Sequence, residues 1–152
     1  MKILIVEDEA QKLNELIFFF RSLPSAEYES ARSVRAALDY FREGGHADLM
    51  ILDMSLPTFD IDESESGGTP RPFGGIDVLR NLNRLDIAIP TVVLTGYQSF
   101  EDESRVISLQ ELGGSMREEF GDFLLDVIQY TPFSNDWMEK LRVIYNNREN
   151  SR

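Results

Sequence analysis

Three carboxylates and one hydroxyl stand where a parallel sheet would deliver them to a single place. Glu7 and Asp8 follow the apolar run Ile3-Leu4-Ile5-Val6, Asp53 follows Leu49-Met50-Ile51-Leu52, and Thr95-Gly96 follows Val92-Val93-Leu94. Carboxylates brought close together repel one another, and a hard cation relieves the repulsion. Mg²⁺ suits such a set, because it takes one or two carboxylates, several waters and a phosphate oxygen. One of the carboxylates can then attack a phosphoryl group to give an acyl phosphate, while the metal offsets the charge on the group in transit. The Thr95 hydroxyl can donate to a phosphoryl oxygen, and Gly96 leaves room for the group to approach.

The elements that must position these residues follow from hydrophobic periodicity. The runs 3–6, 49–52 and 91–94 are short, apolar and rich in β-branched residues, as strands buried on both faces are. A further strand is expected near Glu27–Ala31 and a last one over Phe123–Tyr130. Helical spacing marks Leu13, Leu16, Ile17 and Phe20; then Val34, Ala37, Leu38 and Phe41; then Ile76, Val78, Leu79, Leu82 and Leu85; and finally Trp137, Met138, Leu141, Ile144 and Tyr145. Residues 100–112 are expected to be helical with weak amphipathy. Gly113-Gly114 and Gly121 are expected to bracket a short separate piece. Residues 58–74 lack periodicity and read as a loop.

This alternation predicts an α/β fold: a doubly wound, five-stranded parallel sheet with helices on both faces and strand order 2-1-3-4-5, the flavodoxin-like order. In such sheets the ligand site lies beyond the carboxyl ends of the strands, at the switch point between the first and third. Glu7, Asp8, Asp53 and Thr95 are all expected at that edge.

Composition narrows the function classes. The 152 residues suit one domain, and the formal net charge is −12, from 27 acidic and 15 basic residues. A surface this acidic repels nucleic-acid backbones and anionic lipids, and no basic cluster offsets it. No nucleic-acid or membrane partner is therefore expected, and no apolar run approaches the length of a membrane span. The chain has no cysteine, which removes thiolate metal sites and cysteine nucleophiles and is compatible with a cytoplasmic location. His46 follows Gly44-Gly45 in a turn and reads as a surface residue, since one histidine lacks ligand partners.

In order along the chain, ILIVEDE (3–9), DLMILDMSLP (48–57), GGIDVL (74–79), TVVLTGY (91–97) and TPFSNDWMEKL (131–141) resemble the receiver domains of two-component response regulators. The resemblance covers most of residues 1–147. It implies a single receiver-like domain over 1–152, without an output domain of its own. It implies that Asp53 is the phosphoacceptor, that Glu7 and Asp8 position Mg²⁺ together with Asp53, that Ser55 offers its backbone carbonyl to the metal, and that Thr95 is the switch hydroxyl. It further implies a histidine kinase or phosphotransfer protein as phosphodonor and a protein partner for output, whose identity the residues do not give. Such a module is not expected to be an enzyme. Oligomeric state is left open.

The chain departs from the family pattern in three respects. Thr131 stands where the family has a lysine before the proline at the end of the last strand. The chain's lysines are Lys2, Lys12 and Lys140. Lys2 lies at the wrong end of the first strand, Lys12 in the first helix and Lys140 in the last, so none is expected as a substitute; Arg71, in the long loop, is the one considered. The aromatic position of the last strand is also altered, with Ile128 three residues before Thr131 and Tyr130 expected on the opposite side. Two insertions are expected, near 58–74 and 113–122, the first carrying Asp60, Asp62, Glu63 and Glu65. The missing lysine motivates a rival reading, a pseudo-receiver that binds its partner without phosphorylation. A third, a Mg²⁺-dependent phosphohydrolase, lacks an evident general base.

Overall fold

The computed structural model describes residues 1–60, 73–96, 99–102 and 105–152. The elements in order are β1 (Lys2–Val6), α1 (Ala10–Arg21), β2 (Glu27–Ala31), α2 (Val34–Arg42), β3 (Leu49–Leu52), α3 (Gly74–Arg84), β4 (Thr91–Thr95), β5 (Ser99–Asp102), β6 (Arg105–Ser108), α4 (Leu109–Phe120), a single 3-10 turn (Gly121–Phe123), β7 (Leu124–Gln129) and α5 (Asp136–Asn150). Five strands form one parallel sheet in the order β2-β1-β3-β4-β7. Counting only its own strands, that is the expected 2-1-3-4-5.

The period-two alternation of each central strand divides the core. Leu4, Val6, Met50, Leu52 and Val93 face one side, where α2, α3 and α4 supply Ala37, Leu38, Phe41, Val78, Leu82 and Met116. Ile3, Ile5, Leu49, Ile51, Val92 and Leu94 face the other, where α1 and α5 supply Leu16, Phe19, Phe20, Trp137, Leu141 and Tyr145. Of the three consecutive phenylalanines, Phe19 and Phe20 are buried and Phe18 is exposed.

The stretch 99–112 differs from expectation. It begins as an antiparallel hairpin, β5 pairing with β6 from Ser99 opposite Ser108 to Asp102 opposite Arg105. Val106 and Ile107 favour a strand over the weakly amphipathic helix. The helix starts only after Ser108, whose side chain accepts from the Glu111 amide at 3.1 Å and so caps α4. Gly113-Gly114 do not bracket a separate piece either; α4 runs through them, with Gly113 close to Val127, and it ends at Gly121, where φ is +65°. Residues 113–120 thus belong to α4. Of the expected loop 58–74, residues 61–72 lie outside the described residues, and with them Asp62, Glu63, Glu65 and Arg71. Among the described residues, no helix is long and apolar enough to cross a membrane.

Two glycines let α3 approach the segment after β3. A Cβ on Gly75 would lie 2.4 Å from the Asp53 carbonyl oxygen and 2.5 Å from Met54 Cε, and one on Gly74 would lie 2.5 Å from the Leu56 carbonyl oxygen. The Gly75 amide also donates to the Met54 carbonyl at 2.9 Å. Gly75→Ala is therefore expected to push the Asp53 segment aside and to destabilise the fold by about 1–3 kcal/mol, as overpacking of a tight contact does. Chemical denaturation measures this, and an unchanged midpoint would contradict the close approach.

Candidate functional site

Backbone pairing brings the acids together. Val6 and Leu52, the last residues of β1 and β3, are register partners, so Glu7 and Asp53 leave the sheet side by side. The Asp53 amide donates to the Val6 carbonyl at 3.0 Å, and the Glu7 amide to the Ala31 carbonyl of β2 at 3.0 Å. These bonds carry the sheet one residue past the strands and fix both acids. The carboxylates of Glu7, Asp8 and Asp53 each offer an oxygen within 4.8 Å of the others. Three hard oxygen donors at this spacing fit a divalent cation such as Mg²⁺. They border a cleft of about 330 Å³ whose lining also includes Lys12, Ser55, Gly96 and Tyr130.

The cleft is strongly desolvated at its floor. Glu7 is 1% exposed and Asp53 6%. Burial, with the nearby Asp53 charge adding to it, pushes the Glu7 carboxyl up from 4.5 to about 8, against the opposing pull of Lys12. Asp8 is half-buried and is raised in the same direction, first by burial and then by Asp53.

The structure overturns the expectation for Lys12. Its side chain is 4% exposed. Its ammonium lies 2.7 Å from Glu7 Oε2 and 3.1 Å from Asp53 Oδ1, and it also donates to the Leu94 carbonyl oxygen. The helix geometry explains this. Glu9 caps α1 by accepting from the Lys12 amide at 3.2 Å, so the first turn begins directly above the end of β1. The buried residues of α1 are Lys12, Leu16, Phe19 and Phe20, a stripe at helical spacing, and Lys12 heads it. A lysine at a core-facing helical position was the available signal. Setting a lysine aside because it lies in a helix, without weighing which face it heads, misses it.

The other expected site residues sit as follows. Ser55 is buried and lines the cleft. Thr95 ends β4, fully buried, with Gly96 beside it on the cleft wall. Thr131 is exposed at the end of β7. Tyr130 does not face away from Ile128; both side chains belong to the core cluster around Trp137, as residues two apart in a strand must. The Tyr130 ring lies 5.6 Å from the Lys12 ammonium, and its hydroxyl donates to Glu15, one turn further along α1. Burial and this carboxylate hold the Tyr130 phenol well above its ordinary range.

No family model matches the chain. It is 30% identical over 142 residues to the Detocs response regulatory protein DtcB of Vibrio alginolyticus, an alignment covering 91% of this chain and 95% of the relative. The chain belongs to the response-regulator receiver family. Solved receivers share its fold: the phosphorylated cyanobacterial phytochrome response regulator RcpA superposes with a TM-score of 0.66 at 18% identity, covering 99% of this chain and 95% of that one. The Mn²⁺-bound form of response regulator Rcp1 gives 0.63 at 19% identity, covering 95% and 91%. Within this receiver, the carboxyl edge of β1 and β3 carries the acidic cluster, and α1 supplies the ammonium that lies against it.

Proposed function

We propose that this receiver accepts a phosphoryl group on Asp53, with Mg²⁺ held by Glu7, Asp8, Asp53 and the Ser55 carbonyl, and signals by protein–protein contact in the cytoplasm. The observation that carries this reading is the placement of the Asp53 carboxylate at the floor of an open cleft, with two further carboxylates and one ammonium converging on it. The donor is a phosphohistidine of a kinase or phosphotransfer protein. An Asp53 oxygen attacks phosphorus, the P–N bond breaks, and the electron pair leaves with the imidazole nitrogen. Bound Mg²⁺ supplies charge neutralisation on the phosphoryl oxygens. Thr95, at the end of β4, is the hydroxyl proposed to follow the new group. The related structures named above, one phosphorylated and one metal-bound, support the same chemistry here.

The chain acts as a signal carrier rather than a turnover enzyme. Hydrolysis would call for a free general base, whereas the buried cleft carboxylates Glu7 and Asp53 are tied to Lys12 and the lining of the cleft includes no histidine. His46, the chain's one histidine, instead pairs with Asp48 at 3.0 Å before β3.

Asp53→Asn separates the chemical role from a structural one. Lys12 keeps its bond to Glu7, and the Asp53 charge that crowds Glu7 is gone, so this variant is expected to fold at least as stably as the wild type. It is expected to take up no phosphoryl group. Intact-mass measurement after incubation with Mg²⁺ and a small phosphodonor checks uptake, and amide spectra with beryllofluoride check the site. Equal uptake by wild type and variant would move the acceptor elsewhere. A wild type that neither gains a phosphoryl group nor responds to beryllofluoride would favour the pseudo-receiver.

A further inference from the structure

Lys12 has three ammonium protons and three acceptors: Glu7 Oε2 at 2.7 Å, Asp53 Oδ1 at 3.1 Å and the Leu94 carbonyl. It is the one basic side chain among the described residues lining the cleft. A counter-ion with a purely structural task needs only to sit between two buried acids. This one also touches the oxygen-bearing group that would react, and it faces the same open space from which a phosphoryl group must enter.

We propose that Lys12 is the ammonium that binds the phosphoryl group on Asp53, so that α1, rather than the segment after β7, carries the direct response to phosphorylation. This rests on the phosphoacceptor reading of Asp53. When an Asp53 oxygen bonds phosphorus, negative charge moves from the carboxylate to the terminal phosphoryl oxygens. The ammonium follows that charge, and its charge-assisted hydrogen bond to Asp53 passes to a phosphoryl oxygen. No proton changes hands at Lys12. The bond exchanged is the one to Asp53. The bond to the Leu94 carbonyl, which immediately precedes Thr95 in β4, ties the displacement of the ammonium to the residue that ends the strand.

The same helix ties the event to the far side of the cleft. Glu15, three residues after Lys12, accepts from the Tyr130 hydroxyl and, at 3.3 Å, from the Phe133 amide. The Tyr130 ring in turn lies against the Lys12 ammonium. A shift of the first turn of α1 therefore acts on the loop between β7 and α5 through contacts already made. A lysine on that loop is not needed for the coupling, which accounts for the tolerance of Thr131.

The test uses the full chain labelled with ¹⁵N at lysine, in which Lys12→Arg identifies the Lys12 Nζ signal among three lysines. Mg²⁺ is added first and beryllofluoride second, with backbone amides followed in parallel. A second displacement of the Lys12 Nζ signal on beryllofluoride is expected, together with shifts of the Asp53 and Thr95 amides. Phosphorylation of Lys12→Gln by a small phosphodonor should slow by at least about tenfold, the worth of one charge-assisted hydrogen bond, with Lys12→Arg retaining more. An Nζ signal that beryllofluoride leaves in place while the Asp53 amide moves would overturn the role of Lys12 and leave Asp53 as acceptor. Silence of both signals would instead sink the phosphoacceptor reading itself. The Nζ measurement is made on wild-type protein, so it stands even if the Lys12 variants fold poorly.

Discussion

Lys12→Met is expected to destabilise the metal-free protein by about 3–5 kcal/mol, the usual cost of removing one partner from a buried ion pair. Glu7 and Asp53 are left facing each other with their cation gone, both nearly excluded from water. For a chain of this size that corresponds to a fall in melting temperature of about 6–20 °C. Two controls identify the cause as charge rather than lost packing. Glu7→Gln and Asp53→Asn combined with Lys12→Met should recover most of the loss, because no buried carboxylate is then left without its cation. Millimolar Mg²⁺ should also recover stability in the single variant, since a divalent ion bound only to the folded state stabilises by mass action. A Lys12→Met melting temperature within a degree or two of wild type, indifferent to Mg²⁺, would show that the ammonium does not neutralise the pair.

The second large effect is the dependence of Mg²⁺ binding on pH. Burial raises the Glu7 carboxyl from 4.5 to about 8, so the folded metal-free chain holds a proton there that the unfolded chain has lost. The sign follows directly. Between those values the folded state binds more protons, so the Glu7 contribution makes the metal-free protein less stable as pH rises from 4.5 to about 8. Metal binding displaces that proton and runs the other way. Affinity for Mg²⁺ should climb by up to about tenfold per pH unit below 8 and level off above it. Asp8, raised in the same direction, steepens the rise at the acid end. Calorimetric titration of Mg²⁺ across this range measures both the slope and the proton released. A flat profile between pH 6 and 8 would mean that Glu7 is ionised throughout or takes no part in binding.

Much of the fold was legible because its strands are short apolar runs closed by chemistry-bearing residues. Val6, Leu52 and Leu94 mark strand ends without structural help, and the doubly wound rule then places Glu7, Asp53 and Thr95 at one edge. The Val6–Leu52 register confirms the central pair of that placement. Three features escaped, for different physical reasons. The pair of strands 99–102 and 105–108 is small and pairs only with itself, and the step from exposed Val106 to Ile107, packed on the core, is too short an alternation to betray it beyond the strand preference of those two residues. Lys12 escaped because a lysine in a helix is most often solvated, and polarity outweighed position. Its spacing to Leu16, Phe19 and Phe20 put it on the buried stripe, and a long aliphatic stem can carry an ammonium from such a position to a strand end. The Tyr130–Glu15 contact joins residues far apart in the chain, and no local pattern announces it.

A crystal structure grown with Mg²⁺ and beryllofluoride tests the convergence of residues 7, 8, 12 and 53 most directly. The expected result is one octahedral ion bound through the acidic cluster and the Ser55 carbonyl, beryllofluoride on an Asp53 oxygen, and the Lys12 ammonium within hydrogen-bond distance of a fluoride. An ion bound elsewhere, or an Asp53 carboxylate left bare with Lys12 still closed over it, would contradict the assignment of this edge as the phosphoacceptor site.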